Sequence, residues 1–151
     1  MAKNKKRTYI KKTIKQHDNW YLLEHERKGL LEHYDFIECS YKFPGGKRTL
    51  ICDGHYNQLG VKYRYQISYD GGIPKAHIIQ PKIEYDIDCH MFSDNSLCLY
   101  YHRDERWSTR KSLYTHFVPW VHEWILYYEI YKLSGKWEHP FVHHGNKEQN
   151  K

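Results

Sequence analysis

The sequence predicts an α+β domain, with helices near its two ends and a run of strands between them. Apolar residues recur at helical spacing toward both ends. Between them the period falls to two, and turn-forming residues punctuate it. A third observation sets the kind of core. Leu, Ile, Val and Phe total 32 of the 151 residues, a low share for a folded chain, but 15 Tyr and five Trp restore the missing apolar surface. One aromatic-cored domain suits this length better than two.

The chain starts with charge. Residues 1–15 hold seven cations (Lys3, Lys5, Lys6, Arg7, Lys11, Lys12 and Lys15) and no acid, and read as a basic tail or the start of the first helix. The formal net charge is +6, yet the other 136 residues hold 17 cations against 18 anions. The basicity therefore belongs to the tail, where it serves as a docking aid, and nucleic acid is not the expected main partner.

The first helix spans Tyr9 to Tyr34, with Ile10, Ile14, Leu22, Leu23, Leu30 and Leu31 on one stripe. Asp18 is a candidate cap within it, and Gly29 should weaken its last turns. Phe36 to Phe43 alternates as a strand and ends at Pro44-Gly45-Gly46, a strong turn signal. Thr49 to Tyr56 reads as the second strand. Val61 to Tyr69 is the third, with Tyr63, Tyr65, Ile67 and Tyr69 on one face, closed by Asp70-Gly71-Gly72. Lys75 to Ile79 is a short fourth strand stopped by Pro81. Residues 83–112 are irregular, and a segment of that length inside a compact domain is usually functional. Phe117 to Leu133 returns to helical spacing through Trp120, Trp124, Tyr127 or Tyr128, and Tyr131. Pro119 suits its first turn and Ser134-Gly135 its C-cap.

No stretch approaches the length of an apolar membrane span, and the basic start lacks the apolar run of an export signal. Cys39, Cys52, Cys89 and Cys98 form no Cys-x-x-Cys pair and read as reduced thiols. A cytoplasmic protein that contacts no membrane is expected.

The sharpest chemistry lies in Asp94-Asn95-Ser96-Leu97-Cys98-Leu99-Tyr100-Tyr101, with His90 eight residues before Cys98. A cysteine nucleophile needs access and stabilisation of the thiolate or of the oxyanion it creates. From composition alone, Cys98 between two leucines also reads as a small buried hydrophobe. Cys89, His90, Cys98 and His102 supply two thiols and two imidazoles, but their spacing is not that of a usual zinc site, and no metal or cofactor is expected. His139, His143 and His144 cluster near the end. Glu123 and Glu129 are either solvated or buried acids anchoring the active loop.

Ser96-Leu97-Cys98-Leu99 resembles the active-site strand of ubiquitin-conjugating enzymes, the E2-like fold. In that family a His-Pro-Asn loop leads through a turn into Gly-x-Ile-Cys-Leu, and a Trp follows several residues later. Here Asn95 stands at the Gly, His90 at the Asn of the triplet and Trp107 at the Trp. The family's Asn polarises an oxyanion, a role His90 would fill by hydrogen bonding. Loss of the triplet puts lysine transfer in question.

A closer resemblance is to the small E2-like proteins of bacterial anti-phage CBASS operons. It rests on Asp94 to Tyr101, Pro119-Trp120-Val121-His122-Glu123-Trp124, Tyr128-Glu129-Ile130 and Ser134-Gly135-Lys136-Trp137. The chain departs from that pattern at His102, where Pro is usual, and lacks a Gly-rich stretch after Trp137. The resemblance implies an E2-like domain over 16–144, followed by a polar tail at 145–151. It implies an N-terminal helix, a four-stranded antiparallel meander, an active-site loop and a C-terminal helix. It further implies that Cys98 forms a thioester with the C-terminus of a partner cGAS-like nucleotidyltransferase, with or without a separate activating enzyme, and so regulates cyclic-nucleotide signalling. Cys98 and His90 are the implied catalytic residues, supported by Asn95, Ser96, His102, Asp104 and Trp107. The competing expectation is a non-catalytic E2-like module that docks the nucleotidyltransferase or nucleic acid.

Overall fold

A computed structural model of the chain describes residues 19–99 and 107–138. The basic tail, Asp18, Tyr100, Tyr101, His102, Asp104 and the three terminal histidines lie outside the described residues. The architecture is α+β, and among the described residues two α-helices and one four-stranded sheet share a core.

Helix α1 covers residues 19–33. Its core-facing positions are Leu23, Glu26 and Leu30, spaced three and four apart as a helical face requires. Leu31 was expected on the same stripe but is 42% exposed. A step of about 100° from Leu30 turns it off the core. Gly29 has a packing reason that its helix propensity hides. A Cβ there would meet the Tyr114 ring at 2.6 Å, so the glycine lets that ring lie against the helix.

The strands are β1 (Ile37–Lys42), β2 (Thr49–Tyr56), β3 (Tyr63–Tyr69) and β4 (Lys75–Gln80), paired antiparallel in chain order. This is the expected meander, with boundaries shifted by one or two residues. Tyr63, Tyr65, Ile67 and Tyr69 are all buried, and they share the core with Ile37, Leu50, Cys52 and Ala76. The period-two pattern works because successive strand side chains alternate faces.

Helix α2 (Val118–Ser134) places Pro119 in its first turn and buries Val118, Val121, Trp124 and Ile125. Gly135 ends it at φ 71°, its N–H donating to the Tyr131 carbonyl at 2.8 Å. Before α2 a wide π-helical turn, Leu113–Phe117, joins the end of the irregular segment 83–112 to the helix. The buried Glu26 carboxylate accepts the Leu113 N–H at 2.7 Å and thereby pins this turn to α1. Two polar contacts then fasten α2 to β3. The Tyr63 hydroxyl donates to Glu129, which also pairs with Lys132, and the Tyr65 hydroxyl lies 2.8 Å from His122 Nε2. Glu129 is thus an anchor rather than a solvated acid.

Candidate functional site

The segment after β4 builds the site from short local structures. Asp86 caps a 3-10 turn, Ile87–Cys89, by accepting the Asp88 N–H at 2.9 Å. The turn ends at His90, whose backbone is left-handed (φ 53°, ψ 61°). That kink reverses the chain into a tight hairpin. Met91 bridges Leu97, the Phe92 N–H donates to the Ser96 carbonyl at 2.8 Å, and the Cys98 N–H donates to the His90 carbonyl at 2.8 Å. His90 and Cys98 therefore stand opposite one another, although eight residues separate them in sequence.

The hairpin turn shows why the sequence folds this way. The Asn95 N–H donates to the Phe92 carbonyl at 2.9 Å, and Asn95 itself sits at φ 65°. This is a three-residue hairpin connection, with its last residue left-handed. The family's glycine suits that conformation without cost, and Asn is among the few side chains that tolerate it. Asp94 locks the turn. Its Oδ1 accepts both the Ser96 N–H at 3.0 Å and the Ser96 hydroxyl at 2.5 Å, while its Oδ2 accepts from Lys75 Nζ at 2.8 Å. The Lys75 ammonium and the two Ser96 donors hold the Asp94 carboxyl far below the usual carboxylate range. The Leu97 N–H adds to the Ala76 carbonyl at 2.9 Å, fastening the hairpin to β4.

From the other side, α2 supports the same segment. The Trp124 indole N–H donates to the Cys89 carbonyl at 2.9 Å and reaches the His90 carbonyl at 3.3 Å. Trp137 folds back so that its ring centroid is 5.7 Å from that of His90 and 5.8 Å from that of Trp124. Tyr131 reaches Asp86 Oδ2 at 3.1 Å. Burial, with Asp86 nearby, pushes the Cys89 thiol up to about 12, so Cys89 remains a protonated core residue.

The structure thus brings together Cys98, His90, Asn95 and Ser96 among the expected site residues. Cys98, His90 and Ser96 are 2%, 4% and 2% exposed. Trp107 instead packs edge-to-face on Tyr69 and Phe117, each at 5.8 Å, and acts on the core between β3 and the start of α2. His102 and Asp104 lie outside the described residues. Among the described residues no three His, Cys, Asp or Glu side chains converge as a metal set. No helix among them is long and apolar enough to cross a membrane.

Sequence reasoning missed the roles of Asp94, Lys75, Trp124 and Trp137. Asp94-Asn95-Ser96 carries a local signal, since an Asp accepting from the N–H two residues on is a common turn device. The others act across the fold, and no spacing announces them.

The hairpin thus pairs a thiol-bearing residue with an imidazole-bearing one across a hydrogen-bonded backbone. No curated protein matches the sequence. A family model described as Type II CBASS E2 protein matches residues 26–144, most of the chain and all of the hairpin. The protein belongs to the type II CBASS E2 family.

Proposed function

We propose that Cys98 carries the C-terminal carboxyl group of a cGAS-like nucleotidyltransferase as a thioester, and that this transfer tunes cyclic-nucleotide anti-phage signalling in the cytoplasm. The Cys98 thiolate attacks an activated carbonyl, supplied by a separate activating enzyme or by another route. A tetrahedral oxyanion forms, the activating group leaves, and the C–S bond remains. His90 donates a hydrogen bond to the oxyanion or moves the proton, while Asn95 and Ser96 shape the turn that presents the thiol. His102 and Asp104 would assist the same thiol, as the family resemblance implies, whereas Trp107 acts only through the core it packs into. The observation that carries this reading is the hairpin register, which sets His90 opposite Cys98 and fixes both backbones through one 2.8 Å hydrogen bond.

The test combines purified protein, the nucleotidyltransferase and any activating enzyme. A reductant-sensitive adduct is expected. It should disappear in Cys98→Ala and resist reductant in Cys98→Ser or Cys98→Lys. An adduct that persists in Cys98→Ala would sink the assignment.

The burial of Cys98 favours a second reading, an E2-like module that only docks the nucleotidyltransferase. In that case Cys98→Ala leaves anti-phage protection intact in cells, while removing residues 1–15 weakens partner binding.

A further inference from the structure

Away from the hairpin, the sheet holds a second pair of cysteines. Cys39 of β1 and Cys52 of β2 are direct register partners, and their Sγ atoms lie 3.8 Å apart. Both are free thiols. Directly opposed residues of an antiparallel pair have Cα atoms about 4.5–5.5 Å apart, within the roughly 4.4–6.8 Å that a disulfide spans. Side-chain rotation is therefore enough to bring the two sulfurs to bonding distance.

The two thiols are not equivalent. Cys52 is wholly buried, whereas Cys39 is half-buried. Above Cys39, α1 supplies a cation. Arg27 is held by Glu24 through its Nε at 2.9 Å and its Nη2 at 2.5 Å, and Tyr41 donates to the same carboxylate at 2.7 Å. Hydrogen bonding to Cys52 and the charge of Arg27 favour the Cys39 thiolate, against burial and the nearby Asp53. The Cys39 hydrogen bond and burial raise the Cys52 thiol. Cys39 is thus the sulfur oxidised first, and Cys52, its register partner 3.8 Å away, is placed to resolve the product as its proton passes to the departing hydroxide.

We propose that Cys39 and Cys52 form a hydroperoxide-oxidisable dithiol that closes to an intramolecular disulfide between β1 and β2. In the first step the Cys39 thiolate attacks a peroxide oxygen. An S–O bond forms, the O–O bond breaks, and the released hydroxide takes up the proton Cys39 had lost. In the second step the Cys52 sulfur attacks the sulfenic acid on Cys39. The S–O bond breaks, and the departing hydroxide leaves as water with the Cys52 proton. Two thiols and one hydrogen peroxide become one disulfide and two waters, a two-electron oxidation. The crosslink staples the first two strands beneath α1, on a part of the sheet that does not include the Cys98 hairpin.

The experiment treats the folded full chain with graded hydrogen peroxide, removes the peroxide, unfolds the chain in urea, blocks the remaining thiols by alkylation and maps the peptides. Lys42, Lys47 and Arg48 lie between the two cysteines, so trypsin leaves them on separate peptides joined only by a disulfide. The expected product is a linked Cys39–Cys52 peptide pair with a mass loss of about 2 Da, while Cys89 and Cys98 remain alkylatable. The oxidised chain should melt several degrees higher than the reduced one. Cys39→Ser, a conservative change at the less buried partner, should abolish both effects. Arg27→Gln should slow closure several-fold without preventing it. The proposal is overturned if Cys39 and Cys52 stay alkylatable at peroxide doses that consume Cys89 or Cys98. It is equally overturned if Cys39 proceeds to sulfinic acid without linking to Cys52.

Discussion

At the scale of single residues, the site depends on backbone conformations that few side chains accept. Asn95 holds φ 65° and His90 holds φ 53° within one short hairpin. Left-handed backbone costs an ordinary side chain about 1–2 kcal/mol, and β-branched residues fare worst. Asn95→Gly should therefore match or slightly exceed the parent in urea unfolding, while Asn95→Val should lose about 1–2 kcal/mol. Equal stability of the two variants would show that the turn does not impose this conformation. Burial makes a second prediction at this scale. Cys98 is 2% exposed, whereas Cys39 is half-buried beside a cation. A short iodoacetamide pulse on the isolated protein should label Cys39 before Cys98. If Cys98 labels first, the thiol is open without any partner, and its burial ceases to favour a docking-only role.

At the scale of elements, two contacts decide how the active segment is held. Trp124 ties α2 to the carbonyls of Cys89 and His90, and Glu26 ties α1 to the turn that launches α2. Burial raises the Glu26 carboxyl above its usual value, although the Leu113 N–H favours its charged form. Gln keeps the acceptor and removes the charge, so Glu26→Gln should stay close to the parent. Glu26→Ala should lose about 1–3 kcal/mol, because it leaves a buried N–H without its partner. Similar losses in both variants would assign the effect to charge instead. These contacts also mark where sequence reading stops. The strands and their turns were legible because alternation and the Pro-Gly-Gly and Asp-Gly-Gly signals are local, and Asp94-Asn95-Ser96 carries a local turn signal of the same kind. Trp124 was legible only as a core aromatic, since its N–H acceptors lie 34 and 35 residues away. Nothing in the local sequence marks Glu26, because its partner is 87 residues distant. Leu31 was misplaced because the core face of α1 runs through Leu23, Glu26 and Leu30, and the step of about 100° after Leu30 carries Leu31 beyond its edge.

At the scale of the whole molecule, the seam between sheet and α2 is lined with aromatic rings around one imidazole. His122 lies 2.8 Å from the Tyr65 hydroxyl, with the Tyr56 ring at 4.5 Å and the Phe36 ring at 5.4 Å. Burial in this setting lowers its value from 6.5 to about 4. Between those two values the unfolded chain binds a proton at His122 that the folded chain refuses. Stability from this group is therefore full above about pH 6.5 and falls as the pH drops toward 4, with a slope of up to about 1.4 kcal/mol per pH unit. Glu26 works the other way. Its raised value means the folded state holds its proton more tightly, so its contribution grows as the pH falls. Glu24, lowered to about 2 by its hydrogen bonds to Arg27 and Tyr41, adds a loss only below about pH 4.5. Replacing one group at a time separates these terms. Urea unfolding of the parent between pH 7 and 4.5 should show stability declining with acid, and His122→Phe should flatten that decline while leaving Tyr65 without its partner at every pH. Because that lost hydrogen bond is a constant offset, only the slope reports the imidazole. An unchanged slope in His122→Phe would mean that the acid sensitivity of the fold arises elsewhere than at this seam.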